Sequence, residues 1–120
     1  MQYVLLIYGE ESNWSDLPPD ELRTMYAEYM ALASDLRARN KLLGTNQLHP
    51  VATATTVSVR DGEAIVTDGP FAETKEVLGG YFVVDADSLD DAIEWAQRIP
   101  AARHGRVEIR PAIDHTGDRS

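Results

Sequence analysis

The run Gln2-Tyr3-Val4-Leu5-Leu6-Ile7-Tyr8 is apolar on both of its alternating faces: Tyr3, Leu5 and Ile7 point one way, and Val4, Leu6 and Tyr8 point the other. A strand with one wet face alternates apolar with polar residues, so this strand demands cover on both sides. Tyr81-Phe82-Val83-Val84 makes the same demand. Whatever fold the chain adopts must therefore sandwich these two strands.

The remaining sequence predicts two covering helices. Residues 19–39 place Leu22, Met25, Tyr26, Tyr29, Leu32, Ala33 and Leu36 at helical spacing on one stripe. Pro19 suits a first turn, Asp20 and Glu21 favour the positive helix end, and Asn40 tolerates the left-handed conformation that ends a helix. The second helix opens at Ser88-Leu89-Asp90-Asp91, a capping pattern, and Pro100 stops it. Its expected core face is Leu89, Ala92, Ile93, Ala96 and Ile99.

Strands are predicted at 42–48, 55–59, 63–67, 77–84 and 106–111. Asp61-Gly62 joins the second and third of these as a tight hairpin, since both residues accept positive φ. Gly79-Gly80 suggests a bulge or a close backbone approach. The order is β-α-β, a hairpin, then β-α-β. That is an α+β chain resembling a ferredoxin-like split arrangement with an extra hairpin, in which both helices lie on one sheet face. The second face then needs cover that the chain does not contain, and a second copy is the simplest source. A homodimer is the expectation.

Composition bounds the function. The 120 residues make one domain, expected over residues 2–112, with 113–120 as a frayed polar tail. Twenty acids face eleven bases, for a net charge of −9, so affinity for nucleic acid is not expected. No apolar stretch reaches the roughly 20 residues of a membrane span, and the N-terminal run lacks the basic lead of a signal peptide. A cytoplasmic location is therefore expected. The chain has no cysteine, which removes disulfides, thiolate ligands and thiol nucleophiles. It carries no metal-ligand spacing, phosphate-binding glycine loop, dinucleotide fingerprint or nucleophile elbow, and no cofactor is expected. Asn13-Trp14-Ser15 matches a glycosylation sequon by chance.

Asp68-Gly69-Pro70-Phe71-Ala72-Glu73-Thr74-Lys75-Glu76, followed by Leu78-Gly79-Gly80-Tyr81, closely resembles the signature of the DGPF branch of the YCII-related family. The likeness extends through Leu89-Asp90-Asp91-Ala92-Ile93-Glu94-Trp95-Ala96 to Val107-Glu108-Ile109-Arg110-Pro111, and includes Leu5-Leu6-Ile7-Tyr8. The resemblance implies a dimeric α/β-barrel, two sheets packed face to face. It implies kinship with small-molecule enzymes such as muconolactone isomerases and a dehydrochlorinase. It also implies a link to extracytoplasmic-function sigma factors, beside which DGPF members are often encoded. A sigma-factor-related partner is thus one expectation.

The candidate site residues follow. Asp68 reads either as a general base or ligand anchor, or as a turn residue whose carboxylate satisfies nearby N–H groups. His49, in Leu48-His49-Pro50, reads as an ordinary loop histidine or as the histidine best placed for acid–base work, His104 being in a polar loop and His115 in the tail. The resemblance to the wider family also implies a histidine–aspartate pair in a cleft, and its histidine has no clear counterpart here. Glu73, Lys75 and Glu76 form a compact charged set that reads either as a polar pocket mouth, with Lys75 holding a carboxylate as a point charge, or as a solvated loop with weak surface pairs. Phe71 reads as a loop anchor or a ligand contact, and Tyr8 offers a hydroxyl at a strand end. Arg110, with Glu108, could pair with Glu73 or Lys75. Two function classes stay open: a protein that binds or transforms a small molecule near the Asp68 loop, and a non-catalytic interaction module.

Overall fold

The computed structural model describes residues 1–115; residues 116–120, most of the expected tail, lie outside the described residues. The architecture is mixed α and β with antiparallel sheets. Strand β1 (Gln2–Gly9) leads through a short helix α1 (Ser12–Ser15) to the long helix α2 (Pro19–Ala38) and strand β2 (Leu42–Gln47). The hairpin of β3 (Thr55–Arg60) and β4 (Glu63–Asp68) follows, then β5 (Val77–Asp85), α3 (Leu89–Gln97) and β6 (Arg106–Pro111).

Four strands form one antiparallel sheet in the order β2-β5-β1-β6. Its two central strands are the two that were apolar on both faces. One face is buried: Tyr3, Leu5 and Ile7 of β1 and Phe82 and Val84 of β5 pack with Leu32 and Leu36 of α2 and Ala92, Trp95 and Ala96 of α3. Both helices thus lie on the same side. On the other face Val4, Leu6, Tyr8, Tyr81 and Val83 are only partly covered, beside a row of Arg106, Glu108 and Arg110 from β6.

Local signals act as their chemistry dictates. Asp61 and Gly62 both take positive φ, 54° and 81°, which gives the hairpin turn the twist of its strands. Asn40 ends α2 at φ 57°. The Ser88 hydroxyl accepts the Asp91 N–H at 3.2 Å. The expected face of α3 is only partly right. Leu89 and Ile93 are exposed, while Trp95 is buried with Ala92 and Ala96. The indole has more apolar surface to bury than either aliphatic side chain, and the Arg39 guanidinium lies 5.5 Å from its ring centroid. The helix is rolled to suit the larger ring.

Ion pairs fasten α2 to the second half of the chain. Arg103 grips Glu28 with two bonds of 2.9 and 3.0 Å and Arg98 donates to Asp35 at 2.7 Å, while Arg39, at the end of α2 itself, adds a bond to Asp35 at 3.2 Å. These arginines hold both carboxyls below their ordinary pKa.

The hairpin stands apart. Among the described residues β3 and β4 pair only with each other, from Thr55↔Asp68 to Arg60↔Glu63. Val57, Val59 and Val66 share one of its faces, and each is at least 60% exposed. The radius of gyration, 16.4 Å, exceeds the roughly 14 Å of a compact chain this long. Extents of 46 × 46 × 19 Å describe a slab with a projection.

Candidate functional site

Of the candidate residues, Tyr8 and Lys75 meet where β1 ends, β5 begins and β6 begins. Gly9 pairs with Val77, and Tyr8 with Leu78 on one side and Arg106 on the other. The register skips Gly79, the bulge that the paired glycines suggested. Trp14 explains the skip. Its ring lies against the helix-side surface of Gly9 and Gly79, where a Cβ would meet Trp14 Cη2 at 3.3 and 2.9 Å respectively. The short helix α1 therefore parks an indole on two glycines and closes that end of the core. Nothing in the local sequence around Trp14 signals this; the clue is the pair of distant glycines.

Tyr8 lies on the opposite, uncovered side. Around it stand two ion pairs that tie the Asp68–Glu76 loop to the sheet end. Lys75 Nζ is 3.3 Å from Glu10, and Arg106 Nε is 3.6 Å from Glu76. Both cations are largely exposed, so each pair contributes little to stability and is open to exchange. Glu11 adds a tether by accepting the Val51 N–H at 2.9 Å, which fixes the segment after His49 to the same end. His49 itself is exposed, one residue past Leu48, whose N–H bonds to Gly79 O at 2.9 Å.

The turn at Asp68 is held by backbone. Gly69 takes φ 98°, its N–H bonds to Ala54 O at 2.7 Å, and its carbonyl accepts the Thr56 hydroxyl at 2.8 Å. The Asp68 side chain is exposed and accepts no hydrogen bond from the described residues. The turn is thus made without the carboxylate. Glu73 is also exposed. Phe71 is 90% exposed and does not pack into its own chain as an anchor would.

Arg110 is not brought to this end. It pairs with Val4, four residues along β1 from Tyr8, about 13 Å at the rise of a strand. Strand register decides this: Arg106, on the same face of β6, takes the place beside the loop that the sequence reading offered to Arg110.

Concave surface also exists on the helix side, where sequence reasoning did not look. An open groove of about 330 Å³ is lined by Asn13, Leu17, Thr24, Glu28, Arg103 and His104 among others. Beside it, burial raises the pKa of Tyr29, partly offset by hydrogen bonds from Ala101 and Trp14. Among the described residues no group of three or more His, Asp or Glu side chains could hold a metal ion, and no helix is long and apolar enough to cross a membrane.

The sequence is 36% identical over 113 residues to an uncharacterized protein of Rhizobium meliloti (strain 1021), spanning 92% of this chain and 91% of that one. The profile of the YCII-related domain matches residues 1–116, so the chain belongs to the YCII-related family.

Proposed function

We propose that this chain is a DGPF-type, ferredoxin-like YCII protein that acts in the cytoplasm as a dimeric α/β barrel and binds, or transforms, a small carboxylate-bearing molecule. The site is the uncovered end of the four-stranded sheet, bordered by Tyr8, Phe71, Glu73, Lys75 and Arg106. One observation carries the reading: two exposed cations, Lys75 and Arg106, stand at the same strand ends as Tyr8, each held by a carboxylate that a ligand could replace. A lysine binds such a group as a point charge, and an arginine can bind it with two parallel bonds. Asp68, with its carboxylate unengaged, and His49 are the groups to exchange a proton with the ligand.

A thermal-shift screen of small carboxylic acids tests this, since a ligand of the folded state raises its apparent stability. The expected result is a hit whose shift is abolished in both Lys75→Met and Arg106→Met. Hits that survive both substitutions would move the site elsewhere. The competing reading is an interaction module, for instance toward a sigma-factor-related partner. It is favoured by the exposed valines of the hairpin. Under that reading the screen yields no hit.

A further inference from the structure

The hairpin of β3 and β4 poses a physical problem. Two strands alone are marginally stable in water, and stable sheets add strands or pack on a second layer. Here neither happens among the described residues. The Val57, Val59 and Val66 side chains stay largely in solvent on one face, with Ala64 opposite Val59 and Asp68 as the charge at the root. Exposed apolar surface of this kind, on an element with no packing partner, marks a contact surface.

We infer that β3–β4 is an arm with which each chain clasps a second copy of itself, laying its Val57–Val59–Val66 face on the partner. This rests on the dimer proposed above and specifies how that dimer is held. The area argues for it. A four-stranded sheet with strands about 20 Å long and about 4.8 Å apart presents roughly 400 Å² per face, so two faces together bury roughly 800 Å². Stable specific interfaces bury about 1,200–2,000 Å² of accessible surface. Two arms, each about 20 Å by 10 Å and each covering as much as it buries, contribute roughly another 800 Å². Sheet faces alone thus fall short, and sheet faces with arms fall within that range.

Charge selects the same surface. Two copies at −9 each repel, so contact must form where acid is sparse. The apolar arm face and the uncovered sheet face, whose β6 row holds two arginines to one glutamate, meet that condition. The arm also bears on the site. Asp68 and Phe71 are at its root, so a clasped partner places a wall beside them and gives the Phe71 ring apolar surroundings that its own chain withholds.

The test combines sedimentation velocity with amide hydrogen exchange on the full chain, using wild type, Val57→Asp and the sheet-face variant Leu6→Asp. The expected result is a wild-type dimer whose hairpin amides are protected and lose protection on dilution into monomer. Val57→Asp should keep the wild-type circular dichroism while weakening the dimer at least about 10-fold, as for a buried interface side chain. A stable dimer with freely exchanging hairpin amides and unchanged affinity in Val57→Asp overturns the arm and leaves the sheet-face dimer standing. A wild-type monomer at micromolar concentration overturns the dimer itself. Hairpin amides that stay protected in monomeric Leu6→Asp would show that the hairpin packs on its own chain, which also overturns the arm. The wild-type dilution series decides the matter even if a variant fails to fold.

Discussion

Gly80→Ala offers a direct measure of how tightly β2 is laid against β5. Gly80 is buried, pairs with Ile7 on one side and Gln47 on the other, and does not occupy the left-handed region. Alanine is therefore compatible with its backbone, and the cost is steric. An added Cβ would stand 2.8 Å from the Asn46 carbonyl oxygen and 3.4 Å from Gln47 Cα. Carbon and carbonyl oxygen normally approach no closer than about 3.3 Å, so the two strands must separate by about 0.5 Å. The obstacle is backbone in a hydrogen-bonded ladder, not a side chain that can swing aside. Overpacking of this kind costs about 1–3 kcal/mol. Loss of unfolded-state freedom returns about 0.4–1 kcal/mol. The net expectation is destabilisation by about 1–2 kcal/mol. Gly44→Ala is the control, because a Cβ there meets nothing within 4 Å and only the entropic gain applies. Urea unfolding at matched protein concentration should lower the midpoint for Gly80→Ala and leave it unchanged or raised for Gly44→Ala. A Gly80→Ala protein as stable as wild type would refute the close approach, and with it the placement of β2 on β5.

Acid should weaken the α2 clasp: Glu28 and Asp35 have depressed folded pKa values, so their stabilisation is present above the ordinary carboxylate range and lost as pH falls through the folded values. Chemical denaturation across the acid range should show a shallower loss in a Glu28→Gln, Asp35→Asn double variant. At the alkaline end the sign reverses. Tyr29 has a raised folded pKa, so its contribution is complete below the ordinary tyrosine value and disappears as pH rises through the folded value; Tyr29→Phe should flatten that limb. Trp95→Ala should cost about 3–5 kcal/mol as a buried aromatic, whereas Phe71→Ala in the single chain should lie within about 0.5 kcal/mol of wild type, both read by denaturation of a monomeric Leu6→Asp background. Fluorescence anisotropy with labelled DNA and RNA at physiological salt should register no binding; tight, salt-sensitive binding would contradict the charge argument.

What could be read from sequence was local. Asp61-Gly62, Asn40 and Ser88 each act within a few residues, and their chemistry admits few alternatives. The doubly apolar strands were also legible, because period-two alternation does not depend on partners; they proved to be the two central ones. What failed to show depends on distant contacts. The roll of α3 toward Trp95 is set by the sheet beneath it, and a helical stripe alone favours Leu89 and Ile93 equally. The valines of β3 and β4 read like any core strand, so nothing in them distinguishes a projecting hairpin from a buried one. At the site, the loop charges were visible, but which arginine they meet follows from the register of β6 on β1, which places Arg106 and not Arg110 beside Glu76.

The strand order also governs when the chain can fold. β1 is an inner strand, yet its first partner is β5, from Gln2↔Asp85 to Gly9↔Val77, and its second is β6. No neighbour for it exists until some seventy residues later in the chain. Closing so long a loop precedes any pairing energy, so assembly belongs to the slow, high-contact-order class. During synthesis this strongly apolar segment emerges well before its partners and waits, with both edges open, while the intervening helix and hairpin are made. In that interval β1 is the segment most prone to join another chain, and the one a chaperone has most reason to hold.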